Sequence, residues 1–87
     1  MVILNDEDIS LIKEISQLKN INKYEYNPIE VISGLKKELE DDDYLLDLMD
    51  FIDDKKMEYG FNSDYSTNEL GDRLTKLWDK IYYQSEE

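Results

Sequence analysis

The stretch DDDYLLDLMDFIDDKKMEYG, residues 41–60, decides the fold expected of this chain. Its leucine, isoleucine and methionine residues recur three or four positions apart, which is the period of an amphipathic α-helix. Aspartates favour the start of a helix, and Gly60 is a usual stop signal. We therefore predict a helix over residues 43–59. Its inward face is expected to comprise Leu45, Leu48, Met49, Ile52 and Tyr59, with Met57 also filling the core.

Three further helices follow from start signals elsewhere in the chain. Asn5 precedes three acidic residues, which predicts a capped helix start. Asn27 followed by Pro28 places a cap next to a proline at the first helical position. The letters STNE at residues 66–69 form a capping-box sequence. The predicted helices span residues 6–19, 28–39 and 67–83.

The length and the spacing of these segments together predict the fold class. A chain of 87 residues is long enough for one hydrophobic core, so we predict a single domain over residues 1–87, an all-α bundle of about four helices. Residues 20–27 are polar and aromatic without a helical period, which predicts a loop. Residues 1–4 are apolar enough for a strand. A lone strand would have no partner, so we expect them to pack as a cover over the bundle.

The composition removes most kinds of chemistry. The chain has no histidine, no cysteine and no paired glycines, and Arg73 is its one arginine. The usual general base near neutral pH, the commonest zinc ligands and the glycine-rich phosphate loops are therefore missing. The clustered aspartates also lack the glycine and the terminal glutamate of an EF-hand calcium loop. We expect no catalytic residue, no metal and no cofactor, and hence no enzyme.

The same features indicate where the protein resides. The first residues, MVILNDED, have neither the basic start nor the long apolar run of a signal peptide. No segment is apolar enough to span a bilayer, and the lack of cysteine gives no sign of an oxidising compartment. We therefore expect a cytoplasmic protein that does not bind membranes.

Acidic residues are concentrated on the predicted third helix. Residues 38–54 contain nine of the 22 acidic residues and none of the ten basic ones. Four of these acids follow a spacing of four, three and four and form one stripe opposite the apolar face. We define the acidic stripe as Asp43, Asp47, Asp50 and Asp54.

A solvated helix face is the simplest interpretation of the acidic stripe, but two costs weigh against it. Like charges at neighbouring helical positions cost roughly 0.2–0.5 kcal/mol per pair, and aspartate is a weak helix former. The stripe therefore predicts a binding surface for a basic protein partner, and it excludes direct binding to nucleic acid or to an anionic membrane. Tyr44 and Phe51 lie on its flank. They either pack against loops or serve as exposed anchors, and we take them as partner-binding candidates.

The chain resembles a class of small bacterial inhibitors. Its length, acidity, helical pattern and lack of catalytic residues are similar to those of immunity proteins that neutralise nuclease toxins in colicin and contact-dependent-inhibition systems. Residues 63–66, SDYS, and residues 81–83, IYY, are similar to short pieces of colicin DNase immunity proteins. The order differs, because here the tyrosine pair ends the last helix and Gln84 follows it. The resemblance implies that Tyr82 and Tyr83 are secondary partner-binding candidates, and helix-end packing is the alternative.

Three functions are compatible with these observations. The expected one is a non-catalytic stoichiometric inhibitor, an immunity protein or antitoxin that neutralises a basic nuclease-like toxin through the acidic stripe. The alternative is a nucleic-acid mimic that inhibits a DNA- or RNA-binding enzyme, of the anti-restriction or anti-CRISPR type. A helical adaptor that self-associates is the third. We expect a monomer or weak homodimer when the protein is free, and like charges would keep the stripe out of a symmetric interface.

Overall fold

A computed structural model of the chain describes residues 1–18 and 28–85. Over these residues the fold has four helices and one short two-stranded sheet, which confirms the predicted all-α class. No helix in the described ranges has the length and apolarity needed to cross a bilayer. The elements in chain order are β1 (Val2–Ile3), α1 (Asp6–Ser16), α2 (Pro28–Ser33), β2 (Glu38–Leu39), α3 (Asp42–Tyr59) and α4 (Glu69–Ser85).

The long helix α3 begins one residue earlier than predicted and ends where predicted. The Asp41 side chain caps it by accepting hydrogen bonds from the backbone N–H groups of Asp43 and Tyr44, at 3.0 and 3.3 Å. This carboxylate satisfies N–H groups that have no partner inside the helix. Four of the five predicted inward residues are buried, namely Leu45, Leu48, Met49 and Ile52, and Tyr59 is half-buried.

Position 60, at the end of α3, holds a glycine because two backbones meet there, and not because the turn needs a left-handed residue. Its φ is −89°, which any residue can adopt. A Cβ on Gly60 would lie 2.9 Å from the Cα of Gly71, and a Cβ on Gly71 would overlap the Gly60 carbonyl. Gly71 lies in the first turns of α4. The two glycines therefore let the end of α3 and the start of α4 touch backbone to backbone.

The predicted start of α1 is confirmed, and its end comes earlier. Asn5 Oδ1 accepts the N–H of Asp8 at 2.8 Å, and the Asp8 carboxylate accepts the N–H of Asn5 at 3.0 Å, which completes a capping box. The helix stops at Ser16 instead of residue 19, and residue 19 itself lies outside the described residues. The residues that α1 buries in the core are Leu11, Ile12 and Ile15.

The predicted second helix is wrong in its second half. It ends at Ser33, and Glu38–Leu39 form β2. Gly34 follows the helix and leaves room for the Tyr44 ring, which a Cβ would meet at 2.5 Å. Glycine is also about 1 kcal/mol worse than alanine in a helix. The predicted cap Asn27 and the predicted loop over residues 20–27 lie outside the described residues.

The expectation that the first residues lack a strand partner is also wrong, because β2 pairs with β1 in antiparallel register. Val2 is opposite Leu39 and Ile3 is opposite Glu38. Val2 and Leu39 are buried while Ile3 and Glu38 are exposed, which is the alternation of a strand with one face on the core. The first residues thus cover one side of the helical core, as predicted, but they do so as a hydrogen-bonded strand.

The outer edge of β1 is satisfied by a side chain from the end of α4. The N–H of Ile3 donates to Gln84 Oε1 at 2.9 Å, and Gln84 Nε2 donates to the carbonyl of Ile3 at 3.1 Å. A side-chain amide has the donor and acceptor of a peptide group, so Gln84 takes the place of a residue in a third strand. This pair of bonds fixes the end of α4 against β1.

Helix α4 is capped by Asn68 and not by the predicted Ser66. Asn68 Oδ1 accepts the N–H of Gly71 at 2.8 Å, and its Nδ2 donates to the Tyr59 carbonyl at 2.8 Å. Ser66 instead donates to the carboxylate of Asp64. The helix therefore begins at Glu69, two residues later than predicted, and extends two residues further at its end. Its buried apolar residues are Leu74, Leu77 and Ile81.

We predict that Gly71→Ala destabilises the protein although alanine normally favours a helix. An exposed helical Gly→Ala change gains about 1 kcal/mol, whereas overpacking against a fixed backbone costs about 1–3 kcal/mol. The free energy of unfolding, measured by urea denaturation, is expected to fall by about 1 kcal/mol, the overpacking cost less the helix gain. Lys76→Ala on the exposed side of α4 is the control and should change it by less than about 0.5 kcal/mol. A more stable Gly71→Ala variant would show that the two backbones can separate freely.

Candidate partner-binding face

The acidic stripe lies on α3 with most of its charge in water. Asp43, Asp47 and Asp50 are exposed, and Asp54 is half-buried. The first and last of the four are eleven residues apart, so the stripe covers about 16 Å of helix. Carboxylates spaced along one rigid helix present hydrogen-bond acceptors in a fixed line, the arrangement that lysine and arginine side chains recognise.

The fold neutralises acids at other places and not on the acidic stripe. Among the described residues, no ion pair involves a carboxylate of the stripe. The basic side chains that form ion pairs join α1 to α4, join α1 to the segment before β2, or lie within α3 itself. These pairs are Lys37 with Asp6, Lys55 with Glu58, Arg73 with Glu14 and Lys80 with Asp8.

Two apolar side chains that were not expected at a partner-binding surface project from the same side of α3. Leu46 is 63% exposed and Met57 is 64% exposed, so the expected core position of Met57 is wrong. Together with Asp50 and Asp53 they follow the spacing of four, three and four, which places them in a line beside the acidic stripe. Their positions outside the inward arc were visible in the helical period. We define the exposed α3 face as the acidic stripe with Leu46, Asp53 and Met57.

Tyr44 is not an exposed anchor. Its ring packs beside Gly34, and its hydroxyl donates to the Val31 carbonyl at 2.5 Å. Burial raises the pKa of Tyr44 to about 12, because the tyrosinate would lose its hydration. The side chain thus joins α3 to α2. The expectation of an exposed anchor is therefore wrong, and the ring packs inward against α2 and Gly34.

Phe51 is buried too, and the expectation that it flanks the stripe on the surface is wrong. Its side chain is 1% exposed. The buried arc of α3 is wider than the apolar period predicts, because Lys55 is also 1% exposed and lies next to Phe51 on the helix. From the sequence, a lysine at this position predicts an exposed side of the helix, since lysine is almost never fully buried unless it is paired.

The buried Lys55 is held by a set of polar and aromatic groups. Its Nζ donates to the Leu18 carbonyl at 3.0 Å and lies 3.4 Å from the Glu58 carboxylate. It also lies 5.9 and 5.7 Å from the ring centres of Phe51 and Tyr59. Rings and anions near an ammonium offset its loss of water. Through these contacts Lys55 joins the chain after α1 to the middle of α3.

The secondary candidates Tyr82 and Tyr83 are exposed at the end of α4. Tyr82 stacks on Trp78 with ring centres 5.2 Å apart and 12° between the planes. Tyr83 meets Tyr82 edge to face at 5.7 Å. The structure therefore places the pair in an aromatic row with Trp78. Tyr82 takes part in packing along the helix, and both rings remain accessible.

A groove of about 270 Å³ runs between α3 and α4. Its floor is apolar and its walls are polar, and Asp53 connects it to the exposed α3 face. Trp78 is half-buried and lines the groove. The floor is formed by Ile52 and Leu74, and the walls by Asp53, Lys56, Thr75, Trp78 and Asp79.

Among residues 1–18 and 28–85, the most exposed aromatic side chain lies in the loop between α3 and α4. Tyr65 is 89% exposed and has a φ of 69°, in the left-handed region that favours glycine. The loop is held by hydrogen bonds from the Asn62 N–H to the Ser66 carbonyl and from the Tyr65 N–H to the Asn62 carbonyl. Hydrogen bonds from the Ser66 side chain and backbone lower the pKa of the Asp64 carboxyl.

The described ranges, 1–18 and 28–85, contain no group of three or more side chains suited to hold a metal ion. Comparisons of the chain with known protein families, with curated proteins and with solved structures gave no match in any of the three. The site is therefore interpreted from its own geometry: an exposed acidic helix face with two apolar side chains, next to a groove that contains a tryptophan.

We predict that Tyr44→Phe lowers stability in a pH-dependent way. Below about pH 10 the variant should lose about 1 kcal/mol, the usual value of one hydrogen bond. The raised pKa of Tyr44 means that its stabilising contribution is present below the unfolded pKa of 10.0 and is lost as the pH rises towards 12. The difference between wild type and variant in urea denaturation should therefore shrink over this range. Tyr83→Phe, on the surface, is the control and should change the free energy of unfolding by less than about 0.5 kcal/mol below pH 10.

We predict that Tyr65→Gly stabilises the protein. Glycine removes the left-handed backbone penalty, which stabilises the folded protein by about 1–2 kcal/mol. Its greater freedom in the unfolded chain offsets about 0.5–1 kcal/mol of that gain. Thermal denaturation should show a small rise in Tm. Tyr65→Ala keeps the Cβ and loses the ring, so its Tm should stay near that of the wild type. A lower Tm for the glycine variant would mean that the ring stabilises the fold.

Proposed function

We propose that this protein is a non-catalytic stoichiometric inhibitor, an immunity protein or antitoxin that binds and neutralises a basic nuclease-like toxin. The single observation that carries the proposal is the acidic stripe on α3, which has three of its four carboxylates exposed and takes part in no ion pair among the described residues. Four basic side chains of the fold pair with other carboxylates, so the negative charge of the stripe is accessible to another molecule. We place its action in the bacterial cytoplasm, with the protein monomeric or weakly dimeric when free.

The proposed mechanism combines electrostatic steering with a small apolar contact. A line of carboxylates attracts a basic protein over several ångströms and raises the association rate at low salt. In the complex, lysines and arginines around the toxin's active site pair with the acidic stripe. Leu46 and Met57 supply the apolar contact, in place of Tyr44 and Phe51, which the fold uses internally. Methionine adapts its shape readily to a partner surface.

The helix that carries the face is fixed before binding. Its first turn is capped by Asp41, its middle is joined to the chain after α1 through Lys55, and its end touches α4 at Gly60. A rigid scaffold loses little conformational freedom on association, so more of the interaction energy appears as affinity. This supports a dedicated inhibitor over a segment that folds on binding.

The nucleic-acid mimic remains the second candidate for one reason. Mimicry requires only spaced negative charge and does not need aromatic anchors. Three of the four stripe carboxylates are exposed, while Tyr44 and Phe51 face inward. The two candidates differ in the role of Leu46 and Met57. A dedicated protein partner uses these side chains, whereas a protein that normally binds nucleic acid tolerates their loss.

The test is affinity capture from the lysate of the source organism at low salt, with identification by mass spectrometry. The baits are wild type, a variant with all four stripe aspartates changed to asparagine, and a control with Glu7, Glu14, Glu30 and Asp72 changed to their amides. The stripe variant and the control have the same net charge. We expect one basic toxin-like protein to be held by wild type and control and to be lost by the stripe variant.

Association kinetics with the captured protein then test the mechanism. We expect the stripe variant to associate at least about tenfold more slowly at low salt, with a weaker salt dependence. Exchanging Leu46 and Met57 for serine should mainly speed dissociation. Capture of a DNA-processing enzyme that added DNA displaces would establish the mimic instead. Equal capture by all three baits, or none, would show that the acidic stripe is only a solvated face.

A further inference from the structure

The groove between α3 and α4 lies one to two helical turns away from the contact of Gly60 with Gly71. On α3 it begins at Lys56, one turn before Gly60, and on α4 it begins at Leu74, one turn after Gly71. The two helices thus touch at one end and leave the groove beyond that contact. Because the glycine contact is between backbones, the spacing of the two helices that form the groove does not depend on flexible side chains.

The walls of the groove combine an aromatic surface with two carboxylates. Trp78 lines it, and the indole is held in place by stacking on Tyr82. Asp53 from α3 and Asp79 from α4 stand on opposite helices, and both are exposed. An indole beside two anions is the environment that attracts an organic cation, since the ring face and the carboxylates both favour positive charge.

One group in the groove opposes this preference. Lys56 lies on the α3 wall and brings one positive charge against the two negative ones. The wall charge is still negative overall. Lysine has a long flexible side chain with a strongly hydrated ammonium, so it can turn towards water when another cation enters. Removing the charge of Lys56 should therefore strengthen cation binding, whereas removing either carboxylate should weaken it.

We propose that the groove binds an arginine side chain of a protein partner. A guanidinium is planar, stacks on an aromatic ring and offers several N–H donors in one plane to carboxylates, whereas the lysine ammonium is a compact and more strongly hydrated charge. Asp53 belongs to both the groove and the exposed α3 face, so the two surfaces are continuous. That the arginine belongs to the inhibited toxin rests on the proposed function, while the arginine site itself does not.

The test is a titration of the full-length ¹⁵N-labelled protein with the peptide acetyl-Gly-Arg-Gly-amide, followed by NMR. Trp78 is the only tryptophan, so its indole N–H gives one signal that reports on the groove. The matched probe acetyl-Gly-Lys-Gly-amide has the same charge. We expect a saturable shift of the indole signal with the arginine peptide and a Kd at least about threefold higher for the lysine peptide.

Variants at the walls provide the second readout. Replacing both groove carboxylates, Asp53→Asn with Asp79→Asn, should raise the Kd for the arginine peptide at least about fivefold, and Lys56→Gln should lower it about twofold. All three side chains reach solvent, and circular dichroism verifies that the variants fold. No saturable shift, equal binding of both peptides, or an unchanged Kd in the carboxylate variant would overturn the arginine site.

The acidic stripe gives a separate outcome. The variant with all four stripe aspartates changed should keep the indole shift, with a Kd within about twofold of wild type. The indole shift could instead disappear in this variant and persist when Asp53 and Asp79 are replaced. In that case the stripe, and not the groove, binds the cation. The arginine site would then be wrong, while the inhibitor proposal would stand. If the groove binds arginine and affinity capture finds no basic partner, the inhibitor proposal fails and the arginine site stands.

Discussion

Gly60 and Gly71 meet backbone to backbone where α3 ends and α4 begins, and most of the structure depends on this contact. It sets the distance between the two longest helices, so that the apolar side chains of both can fill one core. It also determines which side of α3 remains in solvent. Asn68 reinforces the same junction by hydrogen bonding to the last turn of α3 and to the first turn of α4. The exposed α3 face and the groove are both consequences of how closely these helices approach.

Among the described residues, acidic side chains are paired with basic ones on some sides of the fold and not on the acidic stripe of α3. Ion pairs between α1 and α4 and around β2 contribute little stability individually because they are near the surface. They nevertheless place positive charge next to negative charge on those sides. The segment of residues 38–54 contains no basic residue at all, so its local field remains negative. A strongly asymmetric field of this kind favours orientation of an approaching cationic protein before contact.

The sequence was sufficient to predict the features that depend on local periodicity. The bounds of α3, the Asn5 cap and the all-α class follow from period and capping chemistry, which act within a few residues. Features set by tertiary contacts were missed. The strand at Glu38 needs a partner that is more than thirty residues away. Phe51 packs in the core on a side of α3 where the lysine at position 55 predicts exposure.

The candidate site shows the same division. The stripe was predictable because helical geometry places its four aspartates on one side, and Asp43, Asp47 and Asp50 are exposed as expected. Its apolar neighbours were assigned to the wrong flank. Tyr44 and Phe51 were selected because aromatic rings are frequent anchors, whereas Leu46 and Met57 occupy the accessible positions. The groove required knowledge of how α3 and α4 pack, which no local pattern contains.

The hydrogen bonds between Gln84 and Ile3 limit the ways in which another protein can recognise this molecule. Many partners bind by adding a strand to the edge of a sheet, which requires free backbone N–H and carbonyl groups. At the outer edge of β1 both groups of Ile3 are already satisfied by the Gln84 amide. A partner therefore cannot form main-chain hydrogen bonds with this residue unless it displaces Gln84. Selectivity at that end of the molecule must come from side chains.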